Sequence, residues 1–251
     1  AFVPILDRPD RIPRGRFSMP LSEGTHIVDC RHGLVLSLSR SPPHRLLVWD
    51  PVAREQRRVI LPPELDRYHM FIFNGAVLRS ALDDRHFLVA LVSTTEKQDH
   101  TRAIASAYLS ETNTWSDIIS TPRPPACESR FQLKAEDLPP VECPTMIYSS
   151  IPAVLVGDSL YWWLRDSSYN ILQFDLDRDS LAVIPPPVDL YDSHVNFSVM
   201  RADDGGLGFL FLSDFSAQLW KWNRDCDGAA SWVLERSIEL DKLLTLNPDD
   251  E

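Results

Sequence analysis

The sequence predicts an all-β fold built from four successive blade-like units, a β-propeller, and three observations carry that expectation. Short apolar strands with period-two alternation recur along the whole chain. Twenty prolines and nine glycines punctuate the 251 residues, which suits many short elements joined by turns. One strand–turn–strand pattern returns four times at a spacing set by supersecondary units rather than by a heptad or a helix.

The repeat has a physical content. An apolar strand ends in a large side chain, a small polar residue follows, and a turn leads into a second apolar strand. The first copy is Leu46-Leu47-Val48-Trp49-Asp50-Pro51, turning into Arg57-Arg58-Val59-Ile60-Leu61-Pro62-Pro63. The second is Ala107-Tyr108-Leu109-Ser110, turning through Glu111-Thr112-Asn113 into Trp115-Ser116-Asp117-Ile118-Ile119. The third is Ile171-Leu172-Gln173-Phe174-Asp175-Leu176, turning into Leu181-Ala182-Val183-Ile184. The fourth is Leu219-Trp220-Lys221-Trp222-Asn223, with a longer turn to Ser231-Trp232-Val233-Leu234. The polar residue at the strand end can accept hydrogen bonds from turn N–H groups, as in an Asx-turn. Each copy therefore reads as the outer hairpin of a blade.

An inner hairpin precedes each copy. Ile27-Val28-Asp29-Cys30 turns at Arg31-His32-Gly33 into residues 34–39, and Ala76-Val77-Leu78 turns at Asp83-Asp84 into 86–93. Val154-Leu155-Val156 turns at Gly157-Asp158 into 160–164, and Val199-Met200 turns at 203–206 into 207–212. The marks Asp50, Ser110, Asp175 and Asn223 lie 60, 65 and 48 residues apart, around the roughly 50 residues of a kelch-type four-stranded blade. The expected division is an N-terminal segment over 1–25 and a propeller over 26–251. Its blades fall near 26–66, 67–120, 146–190 and 191–240, with a long Pro-rich loop over 120–145. Four blades suit a truncated part of a larger ring better than a small closed one. The chain begins at Ala1 without Met, and we expect it to be an excerpt whose N-terminal stretch through Pro20 supplies a closing strand. Residues 238–246 read as a short helix or a further strand.

Composition narrows the function classes. With 44% hydrophobic residues the chain can bury a substantial core, and its formal net charge is −11. That charge repels phosphate backbones. The basic stretches at 8–16 and 54–58 are short and flanked by carboxylates, so nucleic acid is not expected as a partner. No apolar run of 18 residues predicts a membrane span, and no signal-type segment opens the chain. Cys30, Cys127, Cys143 and Cys226 lack zinc-knuckle spacing, and free buried thiols in a reducing compartment are expected. Asn196-Phe197-Ser198 fits a glycosylation sequon, which matters only in a secreted protein.

Several segments resemble a family. Residues 29–36, Leu47-Val48-Trp49-Asp50-Pro51, Arg57-Arg58 and Leu61-Pro62-Pro63 look like the first blade of plant F-box-associated β-propeller proteins, especially the cereal-grass group. Phe2-Val3-Pro4, Asp10-Arg11-Ile12-Pro13 and Arg16-Phe17 resemble the stretch that follows the F-box there. Ser110-Glu111-Thr112 with Trp115-Ser116, and residues 156–163 followed by Phe174-Asp175-Leu176, fit as well. The resemblance implies the target-receptor half of a cullin-based ubiquitin ligase. The propeller would hold an unidentified protein, and an F-box outside these 251 residues would dock the adaptor. It also implies an intracellular protein, in cytoplasm, nucleus or both.

No catalytic, cofactor-binding or metal residue is assigned, and no cofactor is expected. The seven histidines lack a nucleophile motif, and His26 and His32 flank a tight turn as structural residues. Ser110 to Trp115 is only a distant likeness of a sialidase Asp-box. The pairs Asp83-Asp84, Asp203-Asp204 and Asp249-Asp250 sit in turns or at the terminus, where solvation accounts for them. Trp162 and Trp163, adjacent on a strand, point to opposite faces and are expected in the core. Arg57 and Arg58 divide between faces on a solvent-exposed edge. The competing readings are an enzyme on a propeller scaffold, such as a glycan hydrolase or kelch-type oxidase, and a scaffold protein without a ligase role.

Overall fold

The computed structural model describes residues 25–39, 45–66, 73–80, 83–97, 100–121, 146–165, 169–188, 190, 196–213, 215–224, 229–240 and 242. The expected N-terminal segment, the residues 122–145 of the long loop, and Cys127, Cys143, Cys226 and Asp249-Asp250 lie outside them.

Among the described residues four antiparallel sheets follow one another. The first runs in order β1 (Thr25–Arg31), β2 (Leu34–Ser39), β3 (Arg45–Asp50) and β4 (Glu55–Val59). The second holds β5 (Phe73–Arg79), β6 (Phe87–Lys97), β7 (His100–Leu109) and β8 (Thr114–Trp115), with β9 (Ile119–Ser120) also on β7. In the third, β10 (Met146–Ile147) and β11 (Val154–Val156) both pair with β12 (Ser159–Arg165), followed by β13 (Tyr169–Asp175) and β14 (Ser180–Ile184). The fourth is β15 (Asn196–Arg201), β16 (Leu207–Leu212), β17 (Ser216–Arg224) and β18 (Ala230–Glu239). Apart from β9, which returns to β7, and β10, which skips β11 to reach β12, each strand pairs with its sequence neighbour, so the sheets form locally, as the repeat predicts.

Turn chemistry sets the hairpins. The two-residue turn between β1 and β2 has both central residues at positive φ, His32 at 50° and Gly33 at 75°, the geometry that matches strand twist. Asp50 Oδ1 accepts the N–H groups of Val52 and Ala53, and Asp175 Oδ1 those of Asp177 and Arg178. These are the expected Asx-type turns. Arg54, Asn113 and Asp179 each close their outer turn at positive φ. Ser110 departs from the pattern: its hydroxyl accepts the N–H of Phe87 across the sheet instead.

Several boundaries differ from the sequence reading. β4 ends at Val59, and the Pro62-Pro63 stretch forms a four-residue helical turn, α1 (Pro63–Asp66), because proline is preset for a first helical position and donates no ladder bond. The strand expected over 115–119 is split into β8 and β9. Ser116 Oγ accepts the Ala107 N–H and Ser116 O accepts the Ser106 hydroxyl, which interrupts the ladder. Ser120 is thus strand rather than loop. The inner edge of the third sheet is divided between β10 and β11. Pro152 in the gap has no N–H to offer, and the Tyr148 and Ile151 carbonyls turn aside to accept Asn74 Nδ2 at 2.7 and 2.8 Å. Residues 238 and 239 prolong β18, and Leu240 and Lys242 beyond it are helical, so both readings of this stretch have a part.

Three hydrophobic seams join the sheets. Between the first and second, Leu34, Leu36, Leu46 and Val48 meet Val77, Val89, Leu91 and Ile104. Between the second and third, Ala76, Ala90, Ala105 and Ala107 receive Trp162, Leu172 and Phe174. Between the third and fourth, Trp163, Tyr161 and Ile171 meet Val199, Leu207 and Phe209, bordered by Phe197, Trp220, Trp222 and Trp232. Trp162 and Trp163 are 1% and 3% exposed and occupy different seams. Both are core, as period-two geometry requires.

Polar stitches reinforce the inner strands. Buried Asp29 accepts the Val77 N–H at 2.9 Å and faces Arg31 at 3.7 Å. Arg31 in turn donates to the carbonyl of Ala153, just before β11, at 2.6 Å, so the inner edges of three sheets are tied together. Farther out, Trp115 Nε1 donates to Ile60 O at 2.8 Å, and Trp232 Nε1 to Pro185 O at 2.7 Å. Each indole thereby grips the chain as it leaves the preceding sheet.

Candidate interaction surface

The turns joining each sheet's first to second strand and third to fourth strand lie at the same ends of the strands, because neighbouring strands are antiparallel. In the first three sheets these turns gather on one face. A cavity of about 660 Å3 opens there, lined by turns of the first two sheets. Its wall includes His32, Gly33, Asp50, Val52, Glu55, Arg57, Arg79, Asp84, Arg85 and Phe87. A second cavity of about 400 Å3 continues toward the third sheet, with Leu88, Leu109 and Leu176 beside Glu111, Asp158 and Asp177.

Arg79, the last residue of β5, organises the first cavity. Its Nη2 meets Asp50 Oδ2 at 2.7 Å, its Nε donates to His32 O at 3.1 Å, and its Nη1 donates to Asp84 O. The His32 ring accepts the Arg79 backbone N–H at 3.4 Å. Burial works to raise the Asp50 pKa, but the hydrogen bonds from Arg79, Ala53 and Val52 outweigh it and hold the carboxyl below its usual range. Asp83 accepts the Arg85 guanidinium and backbone N–H, which lowers its pKa to about 2. Of the four turns that the first two sheets place on this face, three are thus clamped by charge-assisted bonds.

A second group centres on Ser110. It exchanges backbone bonds with Phe87, whose carbonyl accepts the Ser110 N–H at 2.9 Å, while the Ser110 hydroxyl accepts the Phe87 N–H at 2.7 Å. Phe87 holds its ring under the Arg57 guanidinium, Cζ lying 5.5 Å from the centroid, and Arg57 Nη1 donates to Ser110 O at 3.3 Å. Arg57 was expected on a solvated edge. It is exposed, yet it is fixed by a ring and a carbonyl of the next sheet.

The other residues singled out in the sequence stand apart from this face or serve the fold. His26 lies in β1 rather than at its turn, whereas His32 is the turn itself. Cys30 is a free thiol and is exposed, which corrects the expectation of a buried one: in β1 it sits on the side opposite Asp29, which points into the sheet. Partial desolvation first, and then the Asp29 charge, push its pKa up, away from a reactive thiolate. Asp204 accepts the Gly206 N–H and pairs with Lys221. Asn196 opens β15 and is exposed. Among the described residues no group of three His, Cys, Asp or Glu side chains could hold a metal ion. No described helix is long and apolar enough to cross a membrane. What sequence reasoning missed is the joint role of Arg79, Phe87 and Ser110. A polar mark at a strand end signals Ser110, but nothing local signals which sheet it bonds.

A fold of consecutive antiparallel four- and five-stranded sheets, joined face to face by hydrophobic seams, defines a β-propeller. Residues 26–247 match the model of the family described as F-box protein AT5G49610-like, beta-propeller. The chain belongs to that family, in agreement with the resemblance read from its sequence. Among curated proteins no relative matches the chain.

Proposed function

We propose that this propeller is the target-recognition part of an F-box protein, the receptor subunit of a cullin-based E3 ubiquitin ligase. Membership in a family of F-box protein propellers carries this reading. The form of the molecule supports it. The buried hydrophobic residues fill the seams, which leaves the rims for function, and the clamped turn face offers a preformed surface with a cavity of about 660 Å3. Rigid turns on a rigid scaffold lose little entropy when a partner docks. The chemistry of the face suits recognition: guanidinium groups, carboxylates and an aromatic ring, most of them held by their neighbours. In this role the protein works inside the cell, in cytoplasm, nucleus or both, with a protein target and the cullin adaptor as partners.

Co-purification tests the assignment. A form carrying an upstream F-box should retain the cullin adaptor, whereas residues 1–251 alone should not. If the F-box form fails to retain the adaptor, the ligase role falls and a non-ligase interaction scaffold takes its place.

A further inference from the structure

We propose that the cavity across the first and second sheets receives an acidic residue of the bound protein, with the Arg57 guanidinium as its anchor. The inference deepens the target-recognition reading and rests on it. The other cations of the cavity wall are already engaged. Arg79 is held by Asp50, His32 O and Asp84 O, and Arg85 by Asp83. Arg57 differs. Among the described residues no carboxylate lies within ion-pair distance of it, and its recorded bond is one N–H to the Ser110 carbonyl. A guanidinium carries five N–H donors in a planar fork, so most of its donor capacity remains.

The Arg57 fork is also held in place. Phe87 lies beneath it at 5.5 Å, and Phe87 is tied to Ser110 by two hydrogen bonds. A guanidinium stacked on an aromatic face loses less freedom on binding a carboxylate than a mobile lysine does. Beside it, Leu34, Val48 and Val52 give the cavity an apolar part, Val52 being 67% exposed. The ligand that fits is a peptide segment with Asp or Glu next to an apolar side chain. A phosphorylated residue fits less well. Glu55 lines the same cavity without an ion pair among the described residues, and the net charge of −11 opposes a dianion more than a monoanion.

The test is selection of random dodecapeptides displayed on phage against the folded chain, followed by fluorescence polarisation with the synthetic consensus peptide. We expect a consensus with an acidic residue beside an apolar one. Arg57→Gln should weaken its binding at least about tenfold, and Arg57→Lys should restore only part of it. Glu55→Gln should tighten it by a few fold, because a repelling carboxylate is removed. Unchanged tryptophan fluorescence and melting of the variants would show that the exposed substitutions leave the fold intact. A consensus without an acid, one rich in Lys or Arg that binds beside Glu111, Asp158 and Asp177, a null effect of Arg57→Gln, or no enrichment at all overturns the proposal. Those outcomes leave adaptor binding by the F-box form untouched. Conversely, loss of adaptor binding with an Arg57-dependent acidic consensus removes the ligase role and leaves this site standing.

Discussion

The second seam and the third seam are built by opposite means. At the second, the buried face of one sheet is mostly alanine, Ala76, Ala90, Ala103, Ala105 and Ala107 with Val92, bordered by half-buried Leu78, Leu88 and Ile119, and the other contributes Trp162, Leu172 and Phe174. At the third, both sides are large and aromatic. Trp163 meets Phe197 and Phe209 edge-on at 4.7 and 5.8 Å, and Phe209 meets Trp232 at 5.8 Å. Facing sheets must sit about 10 Å apart, so the summed volume across a seam is nearly fixed. A flat alanine face demands a large partner, and two large faces must interlock at angles. The two seams show that the fold constrains the pair of faces and not either face alone.

The largest effect should come from emptying the alanine-faced seam. Trp162→Ala should cost about 3–5 kcal/mol in urea unfolding, because the alanines opposite have no side chain with which to fill the space. Overfilling the same face sharpens the point. Ala90→Leu should cost about 1–3 kcal/mol, while an enlargement at half-buried Phe211, at the edge of the third seam, should cost less. A third substitution acts at the first seam. A Cβ on Gly75 would lie 2.7 Å from the Ala90 carbonyl oxygen and 2.8 Å from Leu91 Cδ2, so Gly75→Ala should also destabilise, by about 1–3 kcal/mol.

Smaller effects separate the outer clasps. Trp115→Phe removes the hydrogen bond to Ile60 O and should cost about 1 kcal/mol. Trp232→Phe removes the one to Pro185 O and also disturbs contacts with Phe209 and Trp222, so its loss should be the greater of the two. Acid distinguishes the rims. The folded-state pKa of Asp50 lies below its usual value near 3.8. Its contribution is therefore present above that value and is lost as pH falls through the lowered one. Asp50→Asn should lower the melting temperature at pH 7, and the gap to wild type should shrink toward pH 2.5. Asp204→Asn at the rim of the fourth sheet should show a smaller gap, since the Asp204–Lys221 pair is more exposed than the Asp50–Arg79 pair.

Much of the fold was legible because propeller sheets form from sequence neighbours. Period-two alternation, the His32-Gly33 and Gly157-Asp158 turns, and the Asp50 and Asp175 marks each act within a few residues. One error fell where a distant group decided, and another on a side-chain bond within a single hairpin. The split between β10 and β11 accompanies Asn74 from another sheet, and the interruption at Ser116 depends on its bonding to β7. The Arg57 site was not legible at all. Its ring and its carbonyl come from Phe87 and Ser110, 30 and 53 residues along the chain.

The sequence alone therefore determined the sheet order, the hairpin turns and the family, because those rest on local hydrogen bonding and on motifs contiguous in the chain. The tertiary structure alone decided which faces share a seam, which charges on the turn face cancel and which one stays available. Those outcomes depend on distances between separate sheets, where volume and charge are balanced between residues that no local pattern connects.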